Sequence, residues 1–211
     1  MFLSDLQKIV TKTLFDSGIE TSSLDSRIIL KEIFCFNEKQ LILNSQLIVS
    51  AKKINEVDKI LARRISGEPI SKIFGKRDFY KSSFLISKDV LDPRSETELI
   101  IGIANNFILD KGYKSFIDLG TGSGCIILSI LEDNKSLCAL GIDISHEAIN
   151  IAVKNCKNLN LEKKATFIVS NWLLPICGLY DLIISNPPYI PSKDIDTLSG
   201  SVKNYDPLVS L

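Results

Sequence analysis

One stretch, Asp118-Leu119-Gly120-Thr121-Gly122-Ser123-Gly124, restricts the folds open to this 211-residue chain more than any other. It follows one apolar run, Ser115–Leu119, and opens another, Cys125–Leu131. Three glycines in five residues let the backbone turn sharply and approach a ligand with no Cβ in the way. The helix start behind them offers unpaired N–H groups to a carboxylate or phosphate. Taken alone, the loop also suits a plain tight turn between strand and helix.

Its surroundings point to an α/β architecture. After Ser95, predicted strands at Ser115–Leu119, Cys138–Ile142, Thr166–Val169 and Asp181–Ser185 alternate with predicted helices Leu99–Leu109 and Cys125–Leu131. A further helix is capped by Ser145 and runs to about Asn158. Such alternation implies a parallel sheet with helices on both faces. Ser95 and Glu98 have the spacing of a capping box for the first helix. Upstream, Met1 to about Gly67 reads as short helices. Ser50 is a cap for apolar positions Ile54, Val57, Leu61 and Ile65, and Leu24, Ile28 and Ile33 form an earlier stripe. Between them and Ser95, Asp78–Asp92 reads as a β-hairpin around Lys81-Ser82-Ser83.

Composition excludes several classes of function. The chain is 24% charged and 45% hydrophobic with a net charge of +0, which argues against a disordered polymer or a strongly cationic nucleic-acid binder. Five scattered cysteines with no CxxC pair and a single histidine, His146, predict no metal site and reduced thiols. Asp5, Gln7 and Lys8 interrupt the first apolar run, so neither a signal peptide nor a membrane span is expected, and a cytoplasmic location is.

The motifs refine the ligand. A dinucleotide fingerprint, G-x-G-x-x-G, would need glycine where Cys125 stands; the G-x-G-x-G spacing favours S-adenosylmethionine over NAD. Asp143, at the end of the second strand, lies where an acidic side chain can accept hydrogen bonds from both ribose hydroxyls. Helping to cap the next helix is its bland alternative. Trp172, the only tryptophan, either stacks on adenine or packs in the core. Asn186-Pro187-Pro188-Tyr189 follows the last apolar strand. Prolines cannot donate hydrogen bonds, so this turn presents acceptors: backbone carbonyls and the Asn186 side-chain oxygen. Such a site suits a planar –NH2 group gripped by its two hydrogens. His146, alone at a helix start, reads as a solvated first-turn residue.

With these residues, the chain resembles the class I methyltransferases, and among them the release-factor glutamine methyltransferases of the PrmC/HemK type. Arg63-Arg64-Ile65-Ser66-Gly67-Glu68-Pro69, Phe74-Gly75 and Pro93-Arg94-Ser95-Glu96-Thr97-Glu98 are similar to that family's lobe-to-hairpin segment and its linker, with Ser95-Glu96 in place of a Pro-Asp pair. Asp118 to Gly124 and Asn186 to Tyr189 match its cofactor loop and amide-binding motif. The resemblance implies a Rossmann-like sheet, with residues 1–75 a helical substrate-recognition domain, 76–94 a β-hairpin linker and 95–211 the methyltransferase domain. It implies that Asp118, Gly120, Thr121, Gly122, Ser123, Gly124, Asp143, Trp172 and Asn186 serve S-adenosylmethionine. Asn186, Pro187, Pro188 and Tyr189 would seat the glutamine of a Gly-Gly-Gln loop in peptide-chain release factors. A monomer without direct nucleic-acid binding is expected. Rival readings are a ribosomal-protein glutamine methyltransferase, an adenine-N6 methyltransferase acting on nucleic acid, and a non-catalytic binding module.

Four predicted strands fall short of the seven that the resemblance implies. The expectation is a sheet incomplete at its C-terminal end, as in a fragment or half of a split gene, with Leu182–Ser185 as an exposed edge and low stability or activity for the chain alone.

Overall fold

The computed structural model describes residues 1–174, 176–190 and 205–210. The chain divides into two compact units, Met1–Phe74 and Gly75–Leu211.

The first unit is helical: α1 (Leu3–Asp16), α2 (Ser22–Phe34), α3 (Glu38–Leu43), α4 (Ala51–Ile65) and α5 (Ile70–Phe74). Leu3, Leu6, Val10 and Leu14 recur at helical spacing on α1 and are fully buried. Ser50 caps α4 as expected, its hydroxyl accepting the Lys53 N–H, and Val57 and Leu61 are the buried positions of that helix. The expected stripe on α2 is out of phase. Leu24 is half exposed, and the buried face is instead Ser22, Asp25, Ser26, Ile29 and Leu30. Polar residues occupy that face because partners reach them. Arg64 Nε donates to Asp25 Oδ2 at 2.7 Å, and Thr11 Oγ1 donates to Ser26 Oγ at 2.8 Å. A buried carboxylate without such a partner would be strongly destabilising.

The second unit begins with the hairpin β1 (Lys76–Phe79) and β2 (Ser82–Leu85), antiparallel in the register Phe79 to Ser82. Its turn is Tyr80-Lys81, one step ahead of the expected Lys-Ser-Ser. Tyr80 takes a left-handed φ of 55°, held there because its N–H donates to Glu98 Oε1 and its hydroxyl to Asp133 Oδ2. That use of Glu98 also removes the expected capping box. Ser95–Thr97 forms a short 3-10 turn, and α6 (Glu98–Lys111) starts with no side-chain cap. The hairpin's Phe79 and Phe84 join the main core of this unit. Full burial of one such ring contributes roughly 2–3 kcal/mol.

Then β3 (Ser115–Leu119), α7 (Cys125–Asp133), β4 (Cys138–Asp143), α8 (His146–Asn158), β5 (Ala165–Val169) and β6 (Leu182–Ser185) follow. The four strands are parallel in the order β5-β4-β3-β6. Asp181 sets the register at one edge: its carboxylate accepts the Lys114 and Ser115 N–H groups, which hold it below the usual carboxylate range. Apolar residues sort by face. Phe116, Ala139, Ala165 and Ile184 pack against α6, α7 and α8 in one cluster. Ile117, Leu119, Leu140 and Ile142 form another, whose described neighbours are Ile168, Ile176 and Tyr180. Helices on both faces were expected; among the described residues they cover one, and the described residues of the 170–181 connection from β5 to β6 form no helix. Ile183 on the second face is accordingly 52% exposed. No helix among the described residues is long and apolar enough to cross a membrane.

Candidate active site

Parallel pairing places the carboxyl ends of β3, β4, β5 and β6 on one rim, where ligands bind in sheets of this kind. There Gly120 and Gly122 after β3, Asp143 ending β4, Trp172 after β5 and Asn186 after β6 line a single cavity of about 260 Å³. Four motifs separated by 66 residues of sequence, from Gly120 to Asn186, thus converge. Ser185 draws two of them together, its hydroxyl donating to the Leu119 carbonyl at 2.9 Å.

The glycine loop is built on backbone bonds. Gly120 and Thr121 N–H groups both reach the Ile142 carbonyl, and Gly122 N–H donates to Asp143 Oδ2 at 2.8 Å. Gly120 and Gly122 have φ of 72° and 55°, and a Cβ on either would meet no atom within 4 Å. Side chains there would strain the backbone and enter the cavity, so both positions need glycine. Gly124 has another task. It starts α7 at φ 78°, and a Cβ would stand 3.2 Å from Ala152 Cβ and Leu128 Cδ1, so it permits close packing and is absent from the cavity wall.

Asp143 takes the capping role weighed for it and also lines the cavity. Ser145 caps α8 through its hydroxyl, and Asp143 Oδ1 additionally accepts the Ser145 N–H at 2.9 Å. Each carboxylate oxygen keeps a free lone pair, so the two backbone donors fix the group in place while leaving it able to accept from a vicinal diol. Trp172 lies on the wall rather than in the core. It is 51% exposed and sits at φ 54°, a conformation uncommon for a bulky residue and typical of functional positions.

Asp118 is placed differently from the other loop residues. It is fully buried beneath the loop and accepts from Thr121 Oγ1 at 2.7 Å, and it does not line the cavity. Its Oδ1 has no hydrogen-bond partner. Burial pushes its carboxyl up to about 7, against the Thr121 hydrogen bond and with help from the Asp143 charge. Cys125, where a dinucleotide loop would have glycine, is buried, and burial pushes its thiol up to about 12, which marks a packing residue. His146 is exposed at the start of α8, as expected, with Nδ1 3.0 Å from Asn150 Nδ2. Among the described residues no cluster of side chains could hold a metal ion.

The Asn-Pro-Pro-Tyr turn straddles two cavities. Asn186 and Pro188 line the first, while Asn186, Pro187 and Tyr189 line a neighbouring one. Asn186 makes no side-chain hydrogen bond to a described residue, and Tyr189 is 77% exposed. Arg94 lines both cavities too. Sequence reasoning treated it only as linker; the hint was a cationic residue after Pro93, the one cation among the described wall positions.

This donor set fits S-adenosylmethionine: a carboxylate for the ribose, a flat ring for the base, and the first turn of α7 for a carboxylate. It has Cys125 where a dinucleotide fingerprint places its third glycine.

The family description "Methyltransferase small domain" matches residues 78–200, and "PrmC N-terminal domain" matches 5–75. The release factor glutamine methyltransferase of Rhodospirillum rubrum is 37% identical over 193 residues, covering 90% of this chain and 58% of that protein. The Caulobacter vibrioides enzyme of the same name is 35% identical over 199 residues, covering 94% and 69%. The present chain therefore spans a little over half of the first relative's length. Among solved structures, M. capricolum TrmK with S-adenosyl-homocysteine aligns at a TM-score of 0.34 and 24% identity over 39% of this chain and 34% of that one. With both family descriptions matched along one chain and a relative of that name 35% identical over 69% of its own length, the chain belongs to the release factor glutamine methyltransferases of the PrmC type, within the class I methyltransferases.

Proposed function

We propose that the protein transfers the methyl group of S-adenosylmethionine to the side-chain nitrogen of a glutamine, in the Gly-Gly-Gln loop of a peptide-chain release factor. One observation carries this reading. Asn186, free of side-chain hydrogen bonds among the described residues, lines both the cavity that fits the donor and the adjoining one that would take the acceptor.

An amide nitrogen is a poor nucleophile because its lone pair is delocalised into the carbonyl. Bound S-adenosylmethionine supplies an electrophilic methyl sulfonium. Asn186 Oδ1 and the backbone carbonyls of the Pro-Pro turn accept the two N–H hydrogens and hold the nitrogen facing the donor cavity. They also stabilise positive charge as it develops there, a form of preorganised electrostatic catalysis. The N–CH3 bond forms as the S–CH3 bond breaks, and the nitrogen then gives one proton to water. The helical unit would recognise the release factor, and the enzyme would work as a cytoplasmic monomer without specific nucleic-acid contacts, in keeping with the net charge of +0.

The test is transfer of labelled methyl from S-adenosylmethionine to release factor, with wild type beside Asn186→Ala. Label on the Gly-Gly-Gln peptide, lost by at least a hundredfold in the variant at saturating donor, is the expected result. Label on another protein or on nucleic acid would mean a different acceptor.

A further inference from the structure

Two cavities meet at the site, and the residues common to both walls are Leu91, Arg94, Thr97, Asn186 and Ser210. Only Asn186 and Arg94 among them carry a strong, long-range polar group. Asn186 presents acceptors and donors; Arg94 presents donors alone.

Arg94 is held in place. Its Nη2 donates to Asp206 Oδ2 at 2.8 Å, and the Asp206 side chain is only 1% exposed. Asp206 also accepts the backbone N–H of Asp92 at Oδ1, 3.2 Å away. One buried carboxylate therefore clamps both the backbone before Pro93 and the guanidinium after it. Arg94 itself has extended backbone, φ −90° and ψ 143°, immediately before the 3-10 turn. Its Nε and Nη1 make no hydrogen bond to a described residue, and the side chain is 41% exposed. The result is a cation with one end fixed and the three N–H bonds of Nε and Nη1 unspent among the described residues, on the wall between donor and acceptor cavities.

An amide held by its –NH2 group still needs a donor for its carbonyl oxygen. In the Asn-Pro-Pro-Tyr turn the prolines have no N–H, and Asn186 is committed to the –NH2 group through its Oδ1, so a charged donor from outside the turn suits that oxygen best. Resting on the glutamine reading above, we propose that Arg94 binds the carbonyl oxygen of the acceptor amide, with Asp206 as the positioning residue that aims it. A donor at that oxygen draws electron density away from the nitrogen, so it cannot speed methyl transfer. Its contribution is to orient the amide plane, and such uniform binding lowers KM without raising kcat.

The experiment compares wild type, Arg94→Ala and Asp206→Asn, measuring S-adenosylmethionine affinity by calorimetry and steady-state transfer to a Gly-Gly-Gln peptide. For Arg94→Ala the acceptor KM should rise about tenfold to a hundredfold, the range for a lost hydrogen bond from a charged group. Donor affinity and kcat should stay within about threefold. Asp206→Asn should raise KM by an intermediate factor. Methylguanidine added to Arg94→Ala should restore part of the loss, which a purely structural role would not allow. Unchanged acceptor KM in Arg94→Ala, or equal losses of donor and acceptor affinity without rescue, overturns the assignment while the glutamine reading stands. A wild type that neither binds nor methylates the peptide overturns the glutamine reading and this assignment together.

Discussion

Raising the pH from 5 to 8.5 should destabilise the second unit through one carboxylate, Asp118. The group is fully buried, keeps one oxygen without a partner, and has its carboxyl pushed from 3.8 up to about 7 by that burial. In the unfolded chain it ionises near pH 4. Between about pH 4 and 7 the folded protein therefore holds a proton that the unfolded chain has lost. Unfolding releases that proton, so stability is fully present below pH 4 and falls as pH rises through 7. Each pH unit of displacement is worth about 1.4 kcal/mol, which amounts to about 4 kcal/mol across the window. Loop relaxation around the charge makes this an upper bound. Asp118→Asn keeps an oxygen for Thr121 and cannot ionise. The assay is urea unfolding of both proteins from pH 5 to 8.5, followed by the fluorescence of Trp172, which reports the second unit because it is the sole tryptophan. The stability of the variant relative to wild type should increase by about 2–3 kcal/mol over that range, from the roughly two pH units of the window that lie above pH 5. A difference that stays flat with pH would show that Asp118 is solvated or already charged, and the argument from its burial would fail.

Three further substitutions probe the packing and the rim. A Cβ at Gly141 would stand 2.6 Å and 2.7 Å from Phe167 ring atoms and 3.1 Å from Thr121 Oγ1. Gly141→Ala should therefore cost about 1–3 kcal/mol. Gly102→Ala, on α6 with nothing within 4 Å, should instead stabilise by about 1 kcal/mol, and melting curves of the pair should move in opposite directions. Asp143→Asn replaces an acceptor of the Gly122 or Ser145 N–H with an –NH2 group and would weaken the proposed ribose contact. Affinity for S-adenosylmethionine by calorimetry should fall about tenfold to a hundredfold, and an unchanged value would remove Asp143 from the donor site.

Features written in neighbouring residues were legible in advance. Ser50 and Ser145 cap their helices, Gly120 and Gly122 need positive φ, and the strand before Asn186 pairs as a strand. These depend on local backbone chemistry that a short window contains. Features that depend on a distant partner were not. The phase of α2 turns on Arg64, 39 residues past Asp25; the missing capping box turns on Tyr80, 18 residues before Glu98. A carboxylate has no periodicity to announce its partner. The glycine loop illustrates the same limit within seven residues: spacing grouped Asp118 and Gly124 with the ligand-facing positions, and packing assigns them to its support. The clamp of Asp206 on Arg94 spans 112 residues and had no local sign at all.

The hairpin has a practical consequence for anyone dissecting the chain. Asn155 on α8 accepts the Leu85 N–H through Oδ1 and donates through Nδ2 to the carbonyls of Leu85 and Ser123. One buried amide thus sutures β2 to the glycine loop. A protein cut to begin at Ser95 would lose Phe79 and Phe84 from its core and leave that amide facing an empty trough behind the loop. An expression boundary at Gly75 keeps the suture intact, so the hairpin should travel with the sheet whenever the second unit is cloned, grafted or swapped.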